Sequence, residues 1–184
     1  MRLFHVSEEP DIVRFVPRTP SRGELDQSKG LVWAIDECCL PNFLTPRECP
    51  RVTYRAFGKT TEDDITRFFS SSCRHCVAIE HAWYQRMQKT ALYIYEFDSS
   101  NFYLQDEAAG YYVSEHTETP IGKIRIGDIF AELFKRNIEI RLVHNLWILA
   151  DAVIKSTLDY SLCKMPNAQP SESRSNTSAV RAGM

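Results

Sequence analysis

The sequence predicts an α+β fold, a largely antiparallel mixed sheet with packed helices. Three observations carry that prediction. Short runs that alternate at period two, or are rich in β-branched and aromatic residues, recur along the chain, as in "LFHVS", "RVTYRAF", "ALYIYEFD" and "IEIRLV". Helical patterns lie between them without the regular strand–helix alternation of a doubly wound parallel sheet. The 184 residues are 43% hydrophobic, with 10 Phe, 8 Tyr and 3 Trp, which is material for a real core.

Residues 2–7 read as the first strand, with His5 at its centre. Alternation puts Leu3, His5 and Ser7 on one face and Phe4 and Val6 on the other. If Phe4 and Val6 face the core, His5 and Ser7 face a cleft or water. If both faces are covered, His5 must find hydrogen-bond partners. Residues 8–29, with Pro10, Pro17, Pro20 and Gly23, predict a long loop that lays Ile12, Val13, Phe15 and Val16 back on the core. A loop of this length inside a compact domain is often functional.

Leu31–Asp36 predicts a strand with Asp36 at its exit, and Leu40, Phe43 and Leu44 a short helix ended by Pro46. Arg51–Phe57 reads as a strand. Thr61, three residues before Asp64, resembles a capping box, and Ile65, Phe68 and Phe69 then share a helical face. The four-residue spacing of Ile79, Trp83 and Met87 predicts a helix over 77–88, with Glu80 and His81 on an exposed turn. Ala91–Asp98 predicts a strand with one aromatic face, and "GYYVS" and "GKIRI" two more. Asp128 caps a helix to Arg136, with Ile129, Leu133 and Phe134 inward and Glu132–Arg136 as an i,i+4 pair. Ile138–Val143 reads as a strand, and Asn145–Thr157, apolar almost all round, as a central buried helix. "LDYSLCKM" predicts the last strand. The expected organisation is one globular domain over 1–165 and a disordered tail over 166–184.

The formal net charge is -2, from 22 Lys plus Arg against 24 Asp plus Glu, so no general electrostatic footprint for nucleic acid or anionic membrane is present. No apolar run reaches the length of a membrane span, and the first residues lack a secretory pattern. The expectation is a cytoplasmic protein whose six cysteines are free thiols. Cys73 and Cys76 bracket His75 in a Cys-x-x-Cys run, but a second well-spaced pair is missing, so no metal is expected. Neither common phosphate cradle, no nucleophile elbow and no His-Glu-x-x-His run occurs.

Several polar side chains are candidates for a site. Arg18 and Arg47 are loop cations suited to a phosphate. Asp106, Glu107, Tyr112 and Ser114 lie around a strand start. Glu139 and Arg141 share a strand face, where a structural ion pair is the alternative to a site role.

"LFHVS" is similar to the first-strand motif of the ADP-ribosyltransferase superfamily, which includes poly(ADP-ribose) polymerases and RNA 2′-phosphotransferases. "GLVWAID" looks like that family's second motif. "AGYYVSEHTETP" resembles the third, a late strand that opens with a catalytic Glu, although Gly110 or Tyr111 stands where the Glu would be. The resemblance implies NAD as substrate, with His5 gripping the ribose and Trp33 or Tyr112 stacking on a base. The leading reading adds Ser7, Arg18 and Ser114 to the same ligand site, with Arg18 on a phosphate. Glu139 or Asp106 would act with His5 as the acid that stabilises an oxocarbenium-like transition state. Two functions follow: an ADP-ribosyl or related ribose-phosphate transferase, or a non-catalytic binding module on the same scaffold, which the missing Glu favours. The ligand in either case is a small nucleotide. Residues 1–168 also resemble a bacterial family of uncharacterised proteins, a domain of unknown function, through "LFHVSEEP", "VWAID", "LPNFLTPRECPRVT", "DEAAGYYVS" and "LWILADAVIKSTLDYS".

Overall fold

A computed structural model describes residues 1–20, 26–70, 72–107 and 109–171. In chain order the strands are β1 (Leu3–Ser7), β2 (Val32–Asp36), β3 (Arg51–Arg55), β4 (His75–Glu80), β5 (Leu92–Phe97), β6 (Tyr103–Asp106), β7 (Tyr111–Ser114), β8 (Gly122–Ile126), β9 (Glu139–Val143) and β10 (Asp159–Cys163). The α-helices are α1 (Glu62–Phe68), α2 (Tyr84–Lys89), α3 (Ile129–Lys135) and α4 (Trp147–Ile154). The chain is α+β with two mostly antiparallel sheets. It divides into two compact units, Met1–Arg47 with Met87–Arg136, and Glu48–Arg86 with the chain from Asn137 onward.

The first unit holds a six-stranded sheet in the order β6-β7-β2-β1-β5-β8, antiparallel throughout. One face carries the buried cluster Leu3, Val32, Ala34, Phe97 and Phe102, with Phe15 and Tyr112 packed against it. Phe4, Ile35 and Ile94, on the other face by alternation, are buried as well. Both faces of β1 are therefore covered at Leu3 and Phe4, while His5, Val6 and Ser7 beyond them are half-buried. In α3 the Asp128 carboxylate accepts from Ala131 N at 2.9 Å, and Arg136 Nε pairs with Glu132 at 2.8 Å. Ile129 and Leu133 are buried, but Phe134 is 64% exposed. It sits about 100° round the helix from Leu133, outside the inward stripe. In the loop after β1, Phe15 and Ile12 are partly buried whereas Val13 and Val16 are exposed, which corrects the expected inward set. Residues 21–25 of that loop lie outside the described residues.

The second unit holds a four-stranded sheet in the order β10-β3-β4-β9, antiparallel except that β4 and β9 run parallel. Its core gathers Val52, Tyr54, Phe68, Phe69, Cys76, Ala78, Leu146, Ala150 and Val153. The Thr61 hydroxyl accepts from Asp64 N at 3.3 Å and caps α1. The helix expected over 77–88 is not formed as such. His75–Glu80 is a strand, and helical structure begins only with a 3-10 turn at His81–Trp83. Cys76–Ile79 is a short, continuous apolar run in a strand with neighbours on both sides, a pattern that periodicity alone does not separate from a buried helix. α4 is likewise not buried all round. Ala150 and Val153 face the core while Ile148 is 80% exposed. After β10, Met165–Asn167 forms a 3-10 turn, and residues 169–170 are held by side chains of this unit: Trp147 Nε1 donates to Gln169 O at 3.0 Å and Asn145 Nδ2 to Pro170 O at 3.0 Å. Residues 172–184, in the segment expected to be a tail, lie outside the described residues.

Candidate functional site

His5 sits where two strands part. The β1–β2 ladder contains Leu3↔Asp36 and Phe4↔Ile35, whereas β1 stays paired with β5 from Leu3↔Phe97 to Ser7↔Tyr93. Beyond Phe4 the gap to β2 is bridged by a side chain, with His5 Nδ1 3.1 Å from the Trp33 carbonyl oxygen. A carbonyl only accepts, so in the neutral ring Nδ1 carries the proton and Nε2 is left as an acceptor. Phe15 covers the imidazole at 4.8 Å between ring centres. Burial lowers the His5 pKa; the Trp33 carbonyl acts in the opposite sense, and Arg18 and Arg47 lower it further. The ring is neutral at physiological pH, with two cations close enough to act on its charge.

Phe15 is fixed by a strap that crosses this face. The Tyr95 hydroxyl donates to Glu9 O at 2.6 Å and accepts from Ile12 N at 3.2 Å. Phe15 exchanges two backbone hydrogen bonds with Glu118, and Arg18 two with Leu31. Phe15 then packs edge-on against Tyr95 and Phe97. Ser114, a residue assigned to ligand binding from the sequence, is fully buried and donates to the Glu118 carboxylate at 2.5 Å while accepting from His116 N at 3.1 Å. It braces the turn that holds Phe15. Ser7 Oγ accepts from Glu9 N at 3.1 Å, at the start of the strap.

The two aromatic candidates separate. Phe4 and Ile35 are paired and share a face, and Trp33, two residues from Ile35, shares it too. His5 points the other way. The Trp33 ring packs on Tyr111, which packs on Phe43. Tyr112 pairs with Ala34 and lies on the His5 face. So His5 and Tyr112 share one side of the sheet, two strands apart, and the Trp33 ring lies on the other.

The acids also separate. Asp106 closes β6, three strands from β1, or about 14 Å at the usual strand spacing. Its carboxylate accepts from Ala109 N at 3.1 Å. Gly110 has φ +64°, and a Cβ there would lie 2.7 Å from Cys39 Sγ and 2.8 Å from Asp36 Oδ2. An acidic side chain there would be strained by the left-handed backbone and would have to displace both neighbouring side chains. Glu139 belongs to the second unit, where its carboxylate accepts from Ser70 N and Oγ and pairs with Arg141 Nε at 2.7 Å. Burial raises its pKa, but Arg141 and Ser70 outweigh burial and hold it below the usual carboxylate range. Arg141 in turn donates to Phe68 O, so the pair ties β9 to the end of α1.

Both thiols of the Cys-x-x-Cys run are engaged or buried within the second unit. Cys73 Sγ donates to Asn137 Oδ1 at 3.3 Å, and burial pushes the Cys76 thiol up to about 12. Sequence reasoning missed Glu80, read as part of an exposed turn. It is 1% exposed and accepts from Leu146 N and from Gln169 N. Its one signal is position, directly after the apolar run Cys76–Ile79.

Fold and site together define an α+β protein built on two mostly antiparallel sheets, with a neutral histidine tethered at the strand divergence of the larger one. The chain belongs to a family of unknown function (DUF6886), whose model matches residues 4–168. No curated protein and no solved structure matches it. Among the described residues no helix is long and apolar enough to cross a membrane.

Proposed function

We propose that the first unit is a nucleotide-binding module, with NAD as the ligand to test, on the sheet face that carries His5. One observation carries this reading: a neutral imidazole, oriented by Trp33 O and with Nε2 as an acceptor, has Arg18 and Arg47 within electrostatic reach. A ribose hydroxyl would donate to Nε2, and the guanidinium groups would take phosphate oxygens. Tyr112, on the same face, is an aromatic suited to a base. The ADP-ribosyltransferase resemblance points to the same ligand, and the positions of the two acids expected to serve it favour binding without transfer. Asp106 stands three strands away, and Glu139 is engaged by Ser70 and Arg141.

The test is calorimetric titration of NAD into wild type, His5→Ala and an Arg18→Ala/Arg47→Ala double variant, with a parallel assay of nicotinamide release. Binding that weakens in both variants, without turnover, supports the module. Turnover would restore the transferase reading. Failure of NAD and of ADP-ribose to bind wild type sinks both.

A further inference from the structure

The second unit carries a pair of exposed imidazoles that the proposed nucleotide site does not use. β4 and β9 run parallel, and their last paired residues are Glu80 and Val143. One step further along both strands stand His81 and His144. Their ring centres are 5.1 Å apart with the planes tilted by 39°. Both side chains are exposed. Among the described residues neither imidazole has a hydrogen-bond partner, so the ring nitrogens are available to a ligand. The pair is fixed at backbone level. β4 and β9 are hydrogen-bonded neighbours, and Glu80, the residue before His81, is locked by Leu146 N and Gln169 N.

We propose that His81 and His144 form a two-ligand site for a borderline transition-metal dication of the zinc, nickel and copper group. With metal–nitrogen bonds of about 2.0–2.1 Å, two imidazoles on one ion place their ring centres about 4.5–5 Å apart, from a square to a tetrahedral angle. That is the spacing found here. Imidazole selects these ions over magnesium and calcium, which prefer oxygen. Among the described residues no group of three or more His, Cys, Asp and Glu is arranged around an ion. The remaining coordination positions are therefore left to water or to a donor from another molecule, which makes the ion exchangeable and open.

Nickel(II) chloride titrated calorimetrically into the full chain above neutral pH tests the site, with His81→Ala, His144→Ala and, as a control, His116→Ala. The expected result is one equivalent bound by wild type and by His116→Ala. Each of the other variants should bind about a hundredfold more weakly, because the second ligand no longer acts intramolecularly. Paramagnetic nickel should broaden the ring resonances of His81 and His144 and leave those of His116 sharp, a readout that needs no variant to fold. Equal affinity in all four proteins, or broadening at other side chains alone, overturns the proposal.

Discussion

His5 Nδ1 lies 3.1 Å from the carbonyl oxygen of Trp33, yet the two side chains stand on opposite faces of the same sheet. The contact is made to backbone, where β1 leaves β2. It fixes the ring's tautomer without forming a shared aromatic pocket. Nitrogen NMR of the imidazole should show a neutral, Nδ1-protonated ring that takes up a proton only below the ordinary histidine range, as burial under Phe15 requires. A ring protonated on Nε2 instead would break the argument. Trp33→Leu should leave the spectrum of His5 almost unchanged, since the carbonyl remains.

Gly110 makes a sharp prediction about the transferase resemblance. Placing a Glu there should not create an acid. Its Cβ would meet Cys39 and Asp36 at less than 3 Å, in a left-handed conformation. Gly110→Glu and Gly110→Ala should each destabilise the protein by about 2–4 kcal/mol, read by urea denaturation. If Gly110→Glu were as stable as wild type, the turn would have to rearrange, and the geometric case against an acid would fall with it.

Acid should weaken the second unit through His75. Burial, with a smaller contribution from Arg55, pushes its pKa down to about 4 from an ordinary value of 6.5. The unfolded chain then binds a proton that the folded chain refuses. Stability is full above about pH 6.5, falls as the pH drops below it, and levels off near the folded value. The loss from this one group is about 3 kcal/mol. His75→Leu should flatten that part of the pH dependence in denaturation curves; an unchanged slope would assign it to other groups.

The thiols should differ in reactivity. Burial pushes Cys49 and Cys76 up to about 12, whereas Cys38 is exposed. Iodoacetamide near neutral pH should label Cys38 well before Cys49 or Cys76 in a mass-spectrometric time course, because the thiolate is the nucleophile. Early labelling of Cys76 would mean that the centre of the smaller sheet opens.

Much of this fold is legible in the sequence. The alternation of "RLFHVS", the Thr61 and Asp128 caps and the Glu132–Arg136 pair are local features, and local geometry decides them. The coverage of His5 is half legible. Alternation gives its face, but which residues cover that face depends on a strap pinned by Glu118, about a hundred residues further along. The separation of Trp33 from His5 is not legible, because it follows from the β1–β2 register, and no short motif encodes a register. β4 reads as helix in the sequence because a strand buried on both faces loses its period-two signature. Glu80 was hidden by the same error, since an acid after a supposed helix turn reads as solvated.

Glu80 itself gives the firmest energetic test. Its carboxylate is buried and accepts from Leu146 N at the start of α4 and, with both oxygens, from Gln169 N at 3.0 Å. One side chain therefore joins the end of β4, the entry to α4 and the segment after β10. Glu80→Leu would leave two amide donors without their acceptor and should cost about 3 kcal/mol. Glu80→Gln keeps one acceptor oxygen and should cost less than half of that. The two variants also separate by place. Amide hydrogen exchange at Gln169 should accelerate in Glu80→Leu, while exchange within β1 and β5 of the first unit stays at its wild-type rate. Acceleration spread evenly over both units would mean that Glu80 supports the whole chain and is not a latch for residues 169–171.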